Sequence, residues 1–215
     1  MPTNDDEWPH DFGFTVLPEL PDAAPKRNER KGQQIGTGVM NLLGWQVVGR
    51  YPDVPKLIIA GGPHTSYWDG IIAFSTVVSL DLDVRVIAKK PLFRGPMGYV
   101  MNWLHAIPVR QDTPEGTVDQ MVQEFGRRDQ LVVGVAPEGT RSKVEHWRTG
   151  FYRIDEKSGV PILTIALDYK TRRVVVGPTI IPSGNVKADF QKMWSFMRKA
   201  TPKNPAYACG PGVKP

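Results

Sequence analysis

The sequence predicts a single α/β domain with a largely parallel central sheet flanked by helices. Short β-branched runs recur along it (LIIA, VRVIA, LVVGV, ILTIA), each of strand length and too short for a helix. Between most of them lie segments of helical length, several with recognisable start signals. At 215 residues, 40% hydrophobic and 23% charged, the chain has the size and composition of one soluble globular domain.

Taken in order, residues 1–33 read as an extended arm outside the core. Asp5, Asp6, Glu7, Asp11, Glu19 and Asp22 precede any basic residue, and five prolines break the periodicity. Trp8, Phe12 and Phe14 suit docking of that arm on the domain or on a membrane. A short helix is expected over 36–48, with Leu42, Leu43 and Val47 near one face. A buried strand follows at 56–60, ending at Gly61-Gly62-Pro63. The pattern continues with a helix at 66–80, a strand at 84–88, an apolar helix at 96–104 and a strand at 106–109. Thr113 as N-cap, Pro114 and Glu115 open a helix over Pro114–Arg127. Then come a strand at Leu131–Val135, a helix at 149–157, strands at 160–166 and 173–176, and a helix at 189–199. Pro202, Pro205, Pro211 and Pro215 predict an irregular tail over 201–215, which leaves 34–200 as the domain.

The net charge of +5 suits an anionic substrate, an anionic membrane surface or nucleic acid. Cys209 is the one cysteine, so no intrachain disulfide forms and a reducing cytoplasm is the simplest compartment. The first residues are acidic and proline-broken, unlike a signal peptide. No run reaches the roughly 18–20 apolar residues that a membrane span needs. Any work on lipid is therefore expected from the membrane surface.

Parallel sheets bind ligands at the carboxyl ends of their strands, and three such ends carry reactive side chains. The first is His64, with Asp69 five residues on. On one helix that separation would put the side chains about 140° apart, so they meet only if His64 lies in the loop before the helix. Pro63 disfavours helix at Gly62, and Thr65 or Ser66 can serve as N-cap. Such a pair suits general-base catalysis, with a neutral imidazole taking a proton from an alcohol and a carboxylate steadying the ring. Ser66-Tyr67-Trp68-Asp69 equally matches a capping box with Asp in place of Glu, in which case Asp69 merely caps a helix. The second end is Ala136-Pro137-Glu138-Gly139-Thr140-Arg141, which also reads as a plain turn with a solvated arginine.

The third is a basic stretch. Arg85, Lys89, Lys90, Arg94 and Arg110 occur between 84 and 111 with no acidic residue and with Phe93, Tyr99 and Trp103 interleaved. It suits a phosphate or an anionic lipid headgroup. The run GPMGYVMNWLHAIPV is too apolar for a nucleic-acid groove, so no nucleic-acid partner is expected. Gly36-Thr37-Gly38 only begins a dinucleotide fingerprint, and no strand precedes it. His10, His105 and His146 have no ligand spacing with His64, so no metal site is expected.

The order of these pieces resembles the four-block signature of the glycerolipid acyltransferases, the family of the 1-acyl-glycerol-3-phosphate acyltransferases. The blocks are His64–Asp69 (an HX4D motif), the Lys89 segment, Glu138-Gly139-Thr140-Arg141, and Gly159-Val160-Pro161-Ile162. The linking phrases LLGWQVVGRYPDVPK, PHTSYWDG, AKKPLFRGPMG, APEGTRS and WRTGFYRI also fit, over about 43–183. The resemblance implies acyl transfer from acyl-CoA or acyl carrier protein to a lysophospholipid hydroxyl, with His64 as base and Asp69 as its orienting partner. It implies an acceptor site of Lys89, Glu138, Gly139, Thr140 and Arg141, and a donor-binding or packing role for Pro161. No cofactor is implied beyond the thioester co-substrate. The expected location is cytoplasmic, peripheral on the inner face of an anionic membrane. One departure is Ile107-Pro108-Val109-Arg110-Gln111, where the family often has Ile-Pro-Val-Asp-Arg. On an extended strand that one-residue shift turns Arg110 to the opposite face, so it reaches the phosphate only if the strand has ended. A non-catalytic lipid-binding protein and an acyl thioesterase are the alternatives.

Overall fold

A computed structural model of the chain describes residues 20–109, 114–208 and 212–213. Its elements run α1 (Arg30–Leu43), β1 (Gln46–Val48), β2 (Lys56–Gly62), α2 (Tyr67–Ser79), β3 (Val84–Lys89), α3 (Gly95–Trp103), β4 (Ile107–Val109), α4 (Pro114–Arg127) and β5 (Leu131–Val135). They continue with β6 (His146–Trp147), α5 (Gly150–Ser158), β7 (Ile162–Asp168), β8 (Arg173–Ile180), α6 (Val186–Met197) and β9 (Gly212–Val213). Among the described residues seven strands form one sheet in the order β1-β8-β7-β2-β5-β3-β4, and β6 pairs separately with β9.

Every pairing in the large sheet is parallel except β7–β8. The connection between those two spans only 169–172, too short for a crossover, so an antiparallel pair is what the chain can make. Alternation along β2 separates two cores. Ile58 and Ala60 face the layer of α4, α5 and α6, where Met121, Phe125, Tyr152 and Phe190 are buried. Leu57 and Ile59 face the other way, toward Leu82, Val84 and Leu163. The sheet is thus covered on both faces, as its near-continuous apolar strands require.

The helix expected over 36–48 instead covers 30–43. Gly44 takes the left-handed conformation (φ 68°) and Trp45 N–H returns to Met40 C=O, which ends α1 and releases the chain into β1. Part of the stretch expected in the arm is tied to the domain. Ala24 is buried, Lys26 bridges Leu82, and the Asp81 carboxylate accepts from Asn28 and Glu29 N–H. Trp8, Phe12, Phe14, Thr113 and Cys209 lie outside the described residues. Gly36, the start of the apparent dinucleotide fingerprint, is a helix contact: a Cβ there would stand 2.7 Å from Ser79 N. No described helix is long and apolar enough to cross a membrane.

Candidate active site

The site is built where β2 ends and α2 begins. His64 stands in the loop, and Asp69 is the third residue of α2. Ser66 caps the helix: its Oγ accepts from Trp68 N–H at 3.2 Å, while Asp69 Oδ2 accepts from Ser66 N–H at 2.7 Å and Thr65 N–H at 2.6 Å. The same Oδ2 lies 3.4 Å from His64 Nδ1. The capping box and the His–Asp pair are therefore both present, and the cap aims the carboxylate at the ring. Asp69 is 1% exposed and the His64 side chain 24%, so the carboxylate is shielded while the imidazole meets the exterior. With Nδ1 turned to Asp69, Nε2 is the nitrogen left to act on a substrate.

Burial acts to raise the Asp69 pKa. Hydrogen bonds with His64, Tyr169, Thr65 N–H and Ser66 N–H outweigh it and hold the carboxylate below its ordinary range. The Tyr169 hydroxyl supplies its bond to Oδ1, at 2.5 Å. The pair thus sets the imidazole against a firmly ionised acid.

Glu138 comes to His64 from the turn after β5. It is 4% exposed, and its Oε1 accepts the backbone N–H of His64 at 3.2 Å. Burial pushes its carboxyl above the usual range, against the opposing pull of its own N–H and that of His64. Glu138 sits behind the histidine and fixes its main chain. Gly139 makes the turn with φ 64°, and a Cβ there would stand 2.4 Å from Arg148 Nε. Thr140 Oγ1 accepts from Ser142 N–H. Arg141 is exposed, its guanidinium 3.7 Å from the centre of the Tyr67 ring, so it is held over the start of α2 by cation–π contact.

Lys89 closes β3, with its Cα opposite Val109 of β4. Arg110 lies outside the described residues. Pro161 is not at this site. It precedes β7 at the opposite end of the sheet, where its C=O accepts from Ile58 N–H. At roughly 3.3 Å per residue it is about 20 Å from His64. Among the described residues, no three His, Cys, Asp or Glu side chains gather as a metal site needs.

A cavity of about 320 Å³ opens beside His64 and Asp69 and runs between α2 and the sheet. Its lining is almost wholly apolar, from Ala73, Phe74 and Val77 of α2 to Val84, Leu163 and Val176 of the strands. Gly61, Gly70 and Gly134 also line it, and a Cβ added at Gly61 or Gly70 would meet nothing within 4 Å. No local pattern in the chain signals this cavity, because its walls come from strands and helices remote along the sequence.

A family model described as Acyltransferase matches residues 50–168, more than half of the chain, a span that includes His64, Asp69, Lys89 and Glu138–Arg141 but not Tyr169 or Val176. The chain belongs to the acyltransferase family. The resemblance read from the four blocks holds at that level, and the protein is an acyltransferase. Its fold is similar to that of a solved structure, the 1-acyl-sn-glycerophosphate (LPA) acyltransferase PlsC from Thermotoga maritima. The TM-score is 0.56 at 16% identity, over 79% of this chain and 77% of that one. No curated protein matches this acyltransferase.

Proposed function

We propose that this acyltransferase moves a fatty acyl group from a thioester of coenzyme A or acyl carrier protein to the hydroxyl of a lysophospholipid such as 1-acyl-glycerol-3-phosphate. The observation that carries the reading is the His64–Asp69 contact in the wall of an apolar cavity. His64 Nε2 takes the proton of the acceptor hydroxyl as that oxygen attacks the thioester carbonyl. The tetrahedral intermediate then expels the thiolate, which recovers the proton from the imidazolium, leaving an ester and a free thiol. Asp69 stabilises the imidazolium between these steps, and a base so placed typically gives about 10²–10⁴-fold in rate.

The cavity takes an acyl chain, whose burial against Phe74, Val77 and Leu163 supplies binding energy remote from the reacting carbonyl. The acceptor phosphate is assigned to Lys89 and Arg141, with Arg110 as a further candidate from the sequence alone, and Gly139 and Thr140 belong to the turn that carries Arg141. Glu138 serves the acceptor site through the His64 main chain it holds. Pro161 acts in packing, through the β2–β7 register. Attachment is to the surface of an anionic membrane on its cytoplasmic side. Leu42, Tyr67, Tyr99 and Trp103 are exposed on α1, α2 and α3, and the Trp103 ring packs on Phe74, which itself lines the cavity.

The test crosses lysolipids with both thioester donors. Purified protein is expected to form diacyl product only when an acceptor is present. Release of free fatty acid at the same rate without any acceptor would assign hydrolysis instead.

A further inference from the structure

The family match ends at Asp168, one residue before Tyr169, yet the Tyr169 hydroxyl reaches back to donate to Asp69 Oδ1. The three other contacts of that carboxylate, from Thr65 N–H, Ser66 N–H and His64 Nδ1, all fall on Oδ2. A carboxylate held at one oxygen can still pivot about it. A donor on the second oxygen fixes its plane. Asp69 is 1% exposed, so bulk water is poorly placed to take over that task.

Tyr169 is itself held. Trp45 packs edge-on against its ring at 4.9 Å, and the Lys203 ammonium stands 5.5 Å from the ring centre. Its backbone N–H donates to Thr201 C=O, and Thr201 N–H donates to Asp168. Three residues on, Asn204 bonds Thr65 twice: its N–H donates to Thr65 Oγ1 at 3.2 Å and its side-chain amide to Thr65 C=O at 2.9 Å. The segment after α6 thus returns to hold both the tyrosine behind Asp69 and the residue next to His64.

We propose that Tyr169 is a positioning residue for the His64–Asp69 pair, and that residues 201–204 form a strap that keeps it in place. This rests on the reading of His64 as the base. Among the described residues, the ionisable groups around the pair are Glu138 from the turn after β5, Tyr169 from the turn after β7, Lys203 of the strap beyond the tyrosine, and Tyr51 in the wall of the shared cavity. Loss of the Tyr169 hydroxyl leaves more of the Asp69 charge to His64, so the imidazolium becomes easier to form.

The test is Tyr169→Phe in the full chain, with the His64 ring followed by NMR titration; the chain has four histidines, so the signal can be assigned. The expected result is a fall in kcat of about tenfold or more, with both KM values within about twofold of wild type. The His64 titration and the acid limb of kcat/KM are expected to move together to higher pH. A 3-fluorotyrosine placed at 169, a stronger donor of nearly the same size, is expected to move the titration to lower pH, which keeps the test decisive if Tyr169→Phe folds poorly. An unchanged His64 titration in both variants overturns the proposal, whatever happens to kcat. Because the titration is read without turnover, it stands apart from the acyl-transfer assay on which the proposed function depends.

Discussion

Asp69 carries two duties through one oxygen, since Oδ2 both caps α2 and faces His64. Asp69→Asn separates them. An amide keeps a carbonyl for the cap but not the charge that stabilises an imidazolium, so activity is expected to fall by about 10²-fold or more with the fold retained. The variant also has a pH signature. The folded carboxylate titrates below its usual range, so its contribution to stability is present above the unfolded value, near 3.9, and is lost as pH falls through the folded one. Melting temperatures of wild type and Asp69→Asn are therefore expected to differ most near neutral pH and to converge in acid. A gap that widens on acidification would contradict the assigned hydrogen bonds.

At the scale of elements, the helix starts at Ser66 and Pro114 were legible because their signals lie within a few residues of the elements they begin. The loop position of His64 was legible for the same reason, from Pro63 and Ser66. What escaped the sequence is contact at long range. Tyr169 meets Asp69 across 100 residues and Asn204 meets Thr65 across 139, and no local pattern reports such pairs. The antiparallel β8 and the early start of α1 escaped likewise, since the second depends on Asp81 receiving the N–H groups of Asn28 and Glu29. The apolar space beneath α2 follows from two packed layers, with glycine at 61, 70 and 134 keeping it open. Gly61→Leu directs a side chain into that space without striking the backbone. It is expected to leave melting nearly unchanged while cutting transfer of long acyl chains more than short ones. Equal loss across chain lengths would place the acyl chain elsewhere.

At the scale of the molecule, the sheet gathers the ends of β2, β3 and β5 on one edge, which brings three separated blocks of sequence to a common rim. Around the same rim, α1 and α3 expose apolar side chains, Leu42 at 86% and Tyr99 at 81%. Single exposed apolar residues are ordinary, but Tyr99 lies on α3, which directly follows Lys90 and Arg94 in the chain. Vesicles containing anionic lipid are expected to bind the protein in a salt-sensitive way. The double variant Leu42→Asp, Tyr99→Asp is expected to weaken that binding while keeping transfer to a water-soluble short-chain acceptor. Vesicle binding indifferent to both salt and the double variant would remove this face from the account. The central claim remains the base at His64. The most direct measurement is the rate of labelled acyl transfer to a lysophospholipid by wild type and by His64→Ala, with matched melting curves. The expected result is a loss of about 10²–10⁴-fold in kcat with the fold intact, and a His64→Ala protein that transfers acyl groups at the wild-type rate would contradict it.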